Sequence, residues 1–317
     1  MSSLPEVGGG HVRRCLALAD ALRARVDEIR FVLDPGATWA GRLTQRGYRS
    51  AIDAGGPPER SAATVLDGYH FGTPDLGRWR AASAFLALVD DFGRAYDGVD
   101  FLLRPGARSS FADKQVAQGF EYALLDADFA RAPRPVVATP AQLLVTFGLR
   151  DSMNGTGLAL RALAQLPAAL LPTVTVVMGS EAPHLADVRA LVTAGQVPAT
   201  LRTDVSDMAP LLRGSDLVIG SGGVSLLERM ACGVPSLTIA TATNQVRNAD
   251  AAGRAGGTIF LGMQEDASPR QIAAAVEHLL GDATARRTMA ERARSLVDGR
   301  GADRAAAALL AASVSNA

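Results

Sequence analysis

At 317 residues the chain is long enough for two domains. Lys and Arg total 32, as do Asp and Glu, so the formal net charge is +0 and no basic field favours nucleic acid. Cys15 and Cys232 are too few for a disulfide framework or a zinc knuckle and fit a reducing compartment.

Met1 to Glu6 lack the basic and apolar regions of a signal peptide, and no run approaches the roughly 20 apolar residues of a membrane span. The expectation is a cytoplasmic protein that does not enter the membrane.

Gly8, Gly9 and Gly10 lead through His11 into an amphipathic helix with Cys15, Leu16, Ala19, Leu22 and Val26 on one face. A helix N-terminus offers unpaired N–H groups and partial positive charge to an anion. His11 there is either a helix-terminal residue capping backbone groups or a neutral imidazole acting as general base. Arg13 and Arg14 fall on the solvated face, with Arg14 the one that can touch a substrate phosphate.

Strands are expected at 29–33, 48–52, 64–67, 84–90 and 99–103. Asp67 ends the third, followed by Gly68 and Tyr69; these two side chains are placed in the same cleft as His11, the phenol toward a sugar. Asp90 and Asp91 end the fourth and read first as caps. The proline-dense stretch 131–140 is the expected linker, dividing residues 1–136 from 137–317.

Further strands are expected at 142–147, 173–178, 216–219, 236–239 and 258–261, with helices between them and only helices in the last ~45 residues. Gly148 closes the first of these strands. The loop after it reads equally as a ligand contact through Gly148 and Arg150 or as a helix cap by Asp151 or Asn154.

The most specific pattern is Ser221-Gly222-Gly223-Val224-Ser225, between an apolar strand and a helix, with Glu228 three residues on. The glycines admit a diphosphate to backbone N–H groups, Ser225 adds a hydroxyl, and Glu228 can accept from a ribose diol. The plainer role for Glu228 is an acid favoured by the helix dipole. Asn244 and Gln245 open the next helix as sugar or phosphate ligands, or as its caps. Dinucleotide, P-loop and His-Glu-x-x-His motifs are absent, so no cofactor or metal is expected. The alternation of strands and helices predicts an α/β fold of two Rossmann-like domains facing across an interdomain cleft.

Taken in order, GGGHVRRCLALADAL, LDGYHF, LVDDF, YALLDADF, LVTFG, GSGGVSLLERMACGVP, TNQVRNA and VDGRGADR make a pattern that resembles the PseG/SpsG family, from Gly8 to about Arg304. The resemblance implies a GT-B arrangement and hydrolysis of a UDP-linked diacetamido-deoxy sugar in pseudaminic acid biosynthesis, without metal. It implies that His11 activates the water that attacks the anomeric carbon, with inversion. Gly10, Arg14, Asp67, Tyr69, Gly148, Asn244 and Gln245 would contact the sugar side. Ser221, Gly222, Gly223, Ser225 and Glu228 would hold the nucleotide.

Two departures stand out. The family has a complete strand before the glycine–histidine turn, where this sequence has seven residues, so either the start lies further upstream or the first strand is abbreviated. FGLRDSMN replaces a loop that tends towards FGGSDP. The alternatives are a GT-B glycosyltransferase using a UDP-sugar donor, a UDP-sugar 2-epimerase, and a nucleotide-sugar-binding or decayed protein without activity. The small-molecule substrate is the sole expected partner, and the chain is expected to be a monomer.

Overall fold

The structure is a computed structural model that describes residues 9–37, 39–69, 71–110 and 115–315. It divides into two compact units, Met1–Ala127 with Gly299–Ala317, and Asp128–Asp298. Both are built on parallel strands with intervening helices. Gly8 and the strand expected to be abbreviated before it lie outside the described residues.

The first unit begins with α1 (Gly10–Leu22), followed by β1 (Arg30–Leu33), α2 (Ala40–Gln45) and β2 (Arg49–Ile52). Next come β3 (Ser61–Asp67), α3 (Thr73–Ala82), β4 (Ser83–Val89), β5 (Phe101–Arg104) and β6 (Val116–Gln118). Among the described residues β1 pairs with β2, and a second sheet runs β3-β4-β5-β6.

The run Phe85–Val89 is apolar throughout because both faces of β4 are covered. Phe85, Ala87 and Val89 face Ala17 and Leu18 of α1, while Leu86 and Leu88 face Leu76 and Trp79 of α3. The other side of α1 places Val12, Leu16 and Ala19 against Phe31, Leu33, Leu43 and Tyr48. Helix α1 is therefore gripped on two sides, which fixes the turn that carries His11.

The second unit contains β7 (Gln142–Thr146), α4 (Gly155–Leu163), β8 (Thr173–Met178), α5 (Leu185–Thr193), β9 (Ala199–Thr203) and α6 (Met208–Gly214). It continues with β10 (Leu217–Ser221), α7 (Val224–Ala231), β11 (Ser236–Ala240), α8 (Thr243–Arg254), β12 (Ile259–Met263), α9 (Pro269–Gly281) and α10 (Ala283–Leu296). Its six strands are ordered β12-β11-β10-β7-β8-β9. All neighbours are parallel. The chain order reverses between β7 and β10, and in open α/β sheets ligands bind beyond the carboxyl ends of strands at such a switch point. The Gly148 loop and the Ser221–Ser225 turn leave those two strand ends.

The domain division differs from the sequence expectation. It falls after Ala127 instead of residue 136, and α11 (Gly301–Ser315) belongs to the first unit, not to the second. The cause is apolar burial: Ala302, Ala305, Ala306 and Leu309 pack with Leu18, Phe85, Phe101 and Leu103. The proline-dense stretch is instead bound into the second unit, where Arg286 donates to the carbonyls of Val137 and Ala138.

Candidate active site and nucleotide-binding loop

In the first unit the N-terminus of α1 and the carboxyl ends of β3 and β4 bring together His11, Arg14, Cys15, Asp67, Tyr69 and Asp91. His11 is 3% exposed and Asp67 is fully buried. His11 Nδ1 lies 2.6 Å from Asp67 Oδ1. Arg14 donates from Nε to Oδ2 at 2.6 Å and from Nη2 to Oδ1 at 2.5 Å. Its Nη1 donates to both oxygens of Asp91 at 2.8 Å. Cys15 Sγ adds a donor to Asp67 Oδ2 at 3.3 Å.

Arg14 Nη2 is also 3.0 Å from His11 Nδ1. A guanidinium only donates, and an acidic Nδ1–H is what a carboxylate at 2.6 Å selects. The contact is therefore two donors converging on Oδ1. With the proton on Nδ1, the neutral ring keeps its lone pair on Nε2, the tautomer a general base requires.

Burial would push the Asp67 carboxyl up, but the charge and hydrogen bonds of Arg14, with those of His11, hold it well below the usual range. Burial works against the Arg14 cation, and Asp67 and Asp91 outweigh it. The Cys15 thiol is pushed up by burial and by Asp67.

Tyr69 sets its ring edge-to-face on His11 at a centroid distance of 4.4 Å, and on Phe92 at 5.4 Å. Partial desolvation and the nearby Asp91 make the Tyr69 phenol harder to ionise, so it stays a neutral hydrogen-bonding group. Gly10 is the first residue of α1.

Arg14 differs from expectation. It is buried, not solvated, and its donors are committed to Asp67 and Asp91, so it balances charge inside the cluster instead of facing a substrate phosphate. The two acids after β4 divide their work. Asp90 accepts from the backbone N–H of Phe92, Gly93 and Arg94 and from buried Arg104. Asp91 turns to Arg14. Adjacent residues leaving a strand point to opposite sides, which is the signal that separates them.

In the second unit, Ser221 ends β10, Gly222 and Gly223 make the turn, and Val224 starts α7. Gln245 fastens this turn: its Oε1 accepts from Gly222 N at 3.1 Å and from Thr241 N at 2.9 Å. Gln245 thus shapes the loop from within, and its neighbour Asn244 opens the same helix, α8. Ser225 lies in the first turn of α7, its hydroxyl 3.3 Å from that of Ser221. Glu228 lies one turn further on and is buried.

A residue outside the sequence reading underlies this loop. Arg229 is fully buried and donates to Ser221 O at 3.0 Å, Ser225 Oγ at 3.2 Å and Thr238 Oγ1 at 2.9 Å. Gly220 makes room for it, since a Cβ there would come within 2.8 Å of Arg229 Nη1.

The Gly148 loop is a different case. Gly148 has φ +91°, a conformation glycine adopts freely, and is exposed. The start of α4 is already occupied: Asp151 accepts from Gly155 N at 2.7 Å and Thr156 N at 2.9 Å, and Asn154 from Gly157 N at 3.0 Å. Those N–H groups serve their own loop instead of a phosphate.

No group of three or more His, Cys, Asp or Glu arranged to hold a metal ion occurs among the described residues. Among them no helix is long and apolar enough to cross a membrane. Both cysteines are free thiols.

Residues 163–305 match the Glycosyltransferase family 28 C-terminal domain. Over 197 residues the chain is 27% identical to the spore coat polysaccharide biosynthesis protein SpsG of Bacillus subtilis, covering 62% of this chain and 58% of that protein. Over 154 residues it is 33% identical to the UDP-N-acetylglucosamine--N-acetylmuramyl-(pentapeptide) pyrophosphoryl-undecaprenol N-acetylglucosamine transferase of Thiobacillus denitrificans, covering 46% and 41%. The chain spans less than two thirds of the length of either relative.

The crystal structure of MurG from Acinetobacter baumannii superposes with a TM-score of 0.70 at 15% identity, over 98% of each chain. The fold is thus the two-unit α/β GT-B fold, and the chain is glycosyltransferase-like.

Proposed function

We propose that this chain is a nucleotide-sugar enzyme that transfers a glycosyl group from a UDP-sugar, with the first unit supplying the general base and the second holding the nucleotide. The observation that carries the reading is the His11–Asp67 pair, whose geometry leaves Nε2 as the basic atom. Nε2 takes the proton of an acceptor hydroxyl as its oxygen bonds to the anomeric carbon. The bond from that carbon to the diphosphate oxygen breaks, and UDP leaves with the electron pair. Asp67 steadies the imidazolium that forms.

The N-terminus of α7, with Gly223 and Ser225, receives the charge developing on the diphosphate. Glu228 holds the ribose. Tyr69 lies against His11 and positions the sugar, together with Asn244, while Gln245 keeps the loop in shape.

Hydrolysis is the second reading, favoured by the near-complete burial of His11, which a water reaches more easily than a bulky acceptor does. One experiment separates the two. UDP release from UDP-N-acetylhexosamines and UDP-diacetamido sugars is followed by NMR, with and without a panel of saccharide acceptors. Transfer predicts turnover that needs an acceptor, and His11→Ala lowers it by about 10²–10⁴-fold. Free sugar and UDP forming equally fast in water alone would establish hydrolysis. No release under either condition, with UDP still bound, would overturn the enzyme reading.

A further inference from the structure

We propose that Arg229 is the charge that makes the Gly222–Gly223 turn a diphosphate site, its missing counter-charge arriving with the ligand. The inference rests on the nucleotide-binding reading of that turn and adds a residue to it.

Arg229 is fully buried, and no acidic side chain among the described residues pairs with it. Two hydroxyls and one carbonyl are its acceptors, and its Nε has none. A buried cation costs several kcal/mol unless opposite charge and full hydrogen bonding offset it.

Its position on the helix sharpens the point. Side chains on a helix lean towards the N-terminus. The guanidinium therefore runs back along α7 to Ser225 in the first turn and to Ser221 just before it. That is the positive end of the helix dipole, where a cation is unfavourable and an anion favourable.

Arg286 provides the internal contrast. It too is fully buried, and its hydrogen bonds among the described residues go to carbonyls and not to a carboxylate. Two of these four carbonyls, however, are those of Leu279 and Leu280 in the last turn of α9, the negative end of a helix. Arg286 is a cation placed where a cation belongs. Arg229 adds its charge to an end that is already positive, and a bound anion would relieve both beyond what the neighbouring Glu228 carboxylate does.

Burial pushes both guanidiniums down, Arg229 to about 10 against the pull of the Glu228 carboxylate, and leaves the Nε of each without a partner, so what sets Arg229 apart is its place at the positive end of a helix. The guanidinium sits behind the turn and reaches it through Ser221 and Ser225, so it acts as a positioning residue and a source of field, not as a catalytic group.

Titration calorimetry with UDP, uridine and inorganic pyrophosphate tests this on the full chain and on Arg229→Met. The expected result is a loss of UDP and pyrophosphate affinity of about tenfold or more, with uridine affinity unchanged. Arg229→Lys keeps a charge that can be titrated in a group burial depresses. Its UDP affinity should fall as pH rises from 7 to 9, relative to wild type, and this variant serves if the Met variant does not fold.

Unchanged UDP affinity in Arg229→Met, or equal loss of UDP and uridine, would overturn the proposal. A flat pH response of Arg229→Lys against wild type would do the same. Wild-type protein that binds neither UDP nor pyrophosphate would instead remove the nucleotide reading itself.

Discussion

Asp67 gathers the donors of three side chains in a space that water does not reach. Its folded ionisation lies below the usual value of roughly 3.9 in an unfolded chain. The stability it contributes is therefore fully present above about pH 4 and is lost as pH falls through the lower folded value.

Arg14→Gln removes the charge that holds it there while leaving the carboxylate buried. The expected cost is about 3–5 kcal/mol, with acid unfolding moved to higher pH, read from urea melts across a pH series. A variant as stable as wild type between pH 3 and 7 would show that Arg14 is dispensable to the cluster. At this scale His11, Asp67 and Tyr69 were legible in the sequence, because a glycine turn and a strand end announce themselves locally. Asp91 and Arg229 were not: alternation separates Asp91 from Asp90 without saying which meets Arg14, and the burial of Arg229 against hydroxyls and a carbonyl is settled only by the packed chain.

Among the elements, the start of α4 shows how a loop that looks like a ligand site can be complete by itself. Asp151 holds φ 41° and caps two N–H groups from four and five residues away, while Asn154 at φ 56° caps a third. Asp151→Ala is expected to destabilise the second unit by about 1–2 kcal/mol, and Asp151→Asn to recover most of that, both measured by urea unfolding. UDP affinity should not improve in either variant if those N–H groups serve only their own loop, and a tighter UDP would show that they can reach the ligand.

The buried strands were legible as apolar runs: 173–178 is β8 as expected, and 142–147 is β7 with one residue trimmed. Strands β6 and β9 were not, because each is a sheet edge mixing apolar with polar residues and offers no run to detect. The α7 turn was legible because strand, paired glycines and helix occur in one short stretch of sequence.

For the molecule as a whole, α11 is the element that sequence reasoning assigned to the wrong body. An alanine-rich helix next to two other helices carries no mark of which core it fills, and only the tertiary contacts decide. Two calorimetric experiments follow from its return to the first unit. The isolated segment 128–298 should melt as one cooperative transition, since it holds its own sheet and core. A chain ending before Gly299 should keep that transition and lose the one belonging to residues 1–127. Retention of both would mean that the first unit does not need the helix. Leu309→Ala, which trims the helix without removing it, should cost about 2–5 kcal/mol in the first unit alone.

The same return sets an order of events during synthesis. Leu18, Phe85, Phe101 and Leu103 leave the ribosome long before the helix that covers them, with the whole of 128–298 made in between. At translation rates of about 5–20 residues per second, that interval is on the order of ten seconds. The body made second can finish folding first, while the body carrying His11 waits with an open core, within reach of chaperones and of other nascent chains.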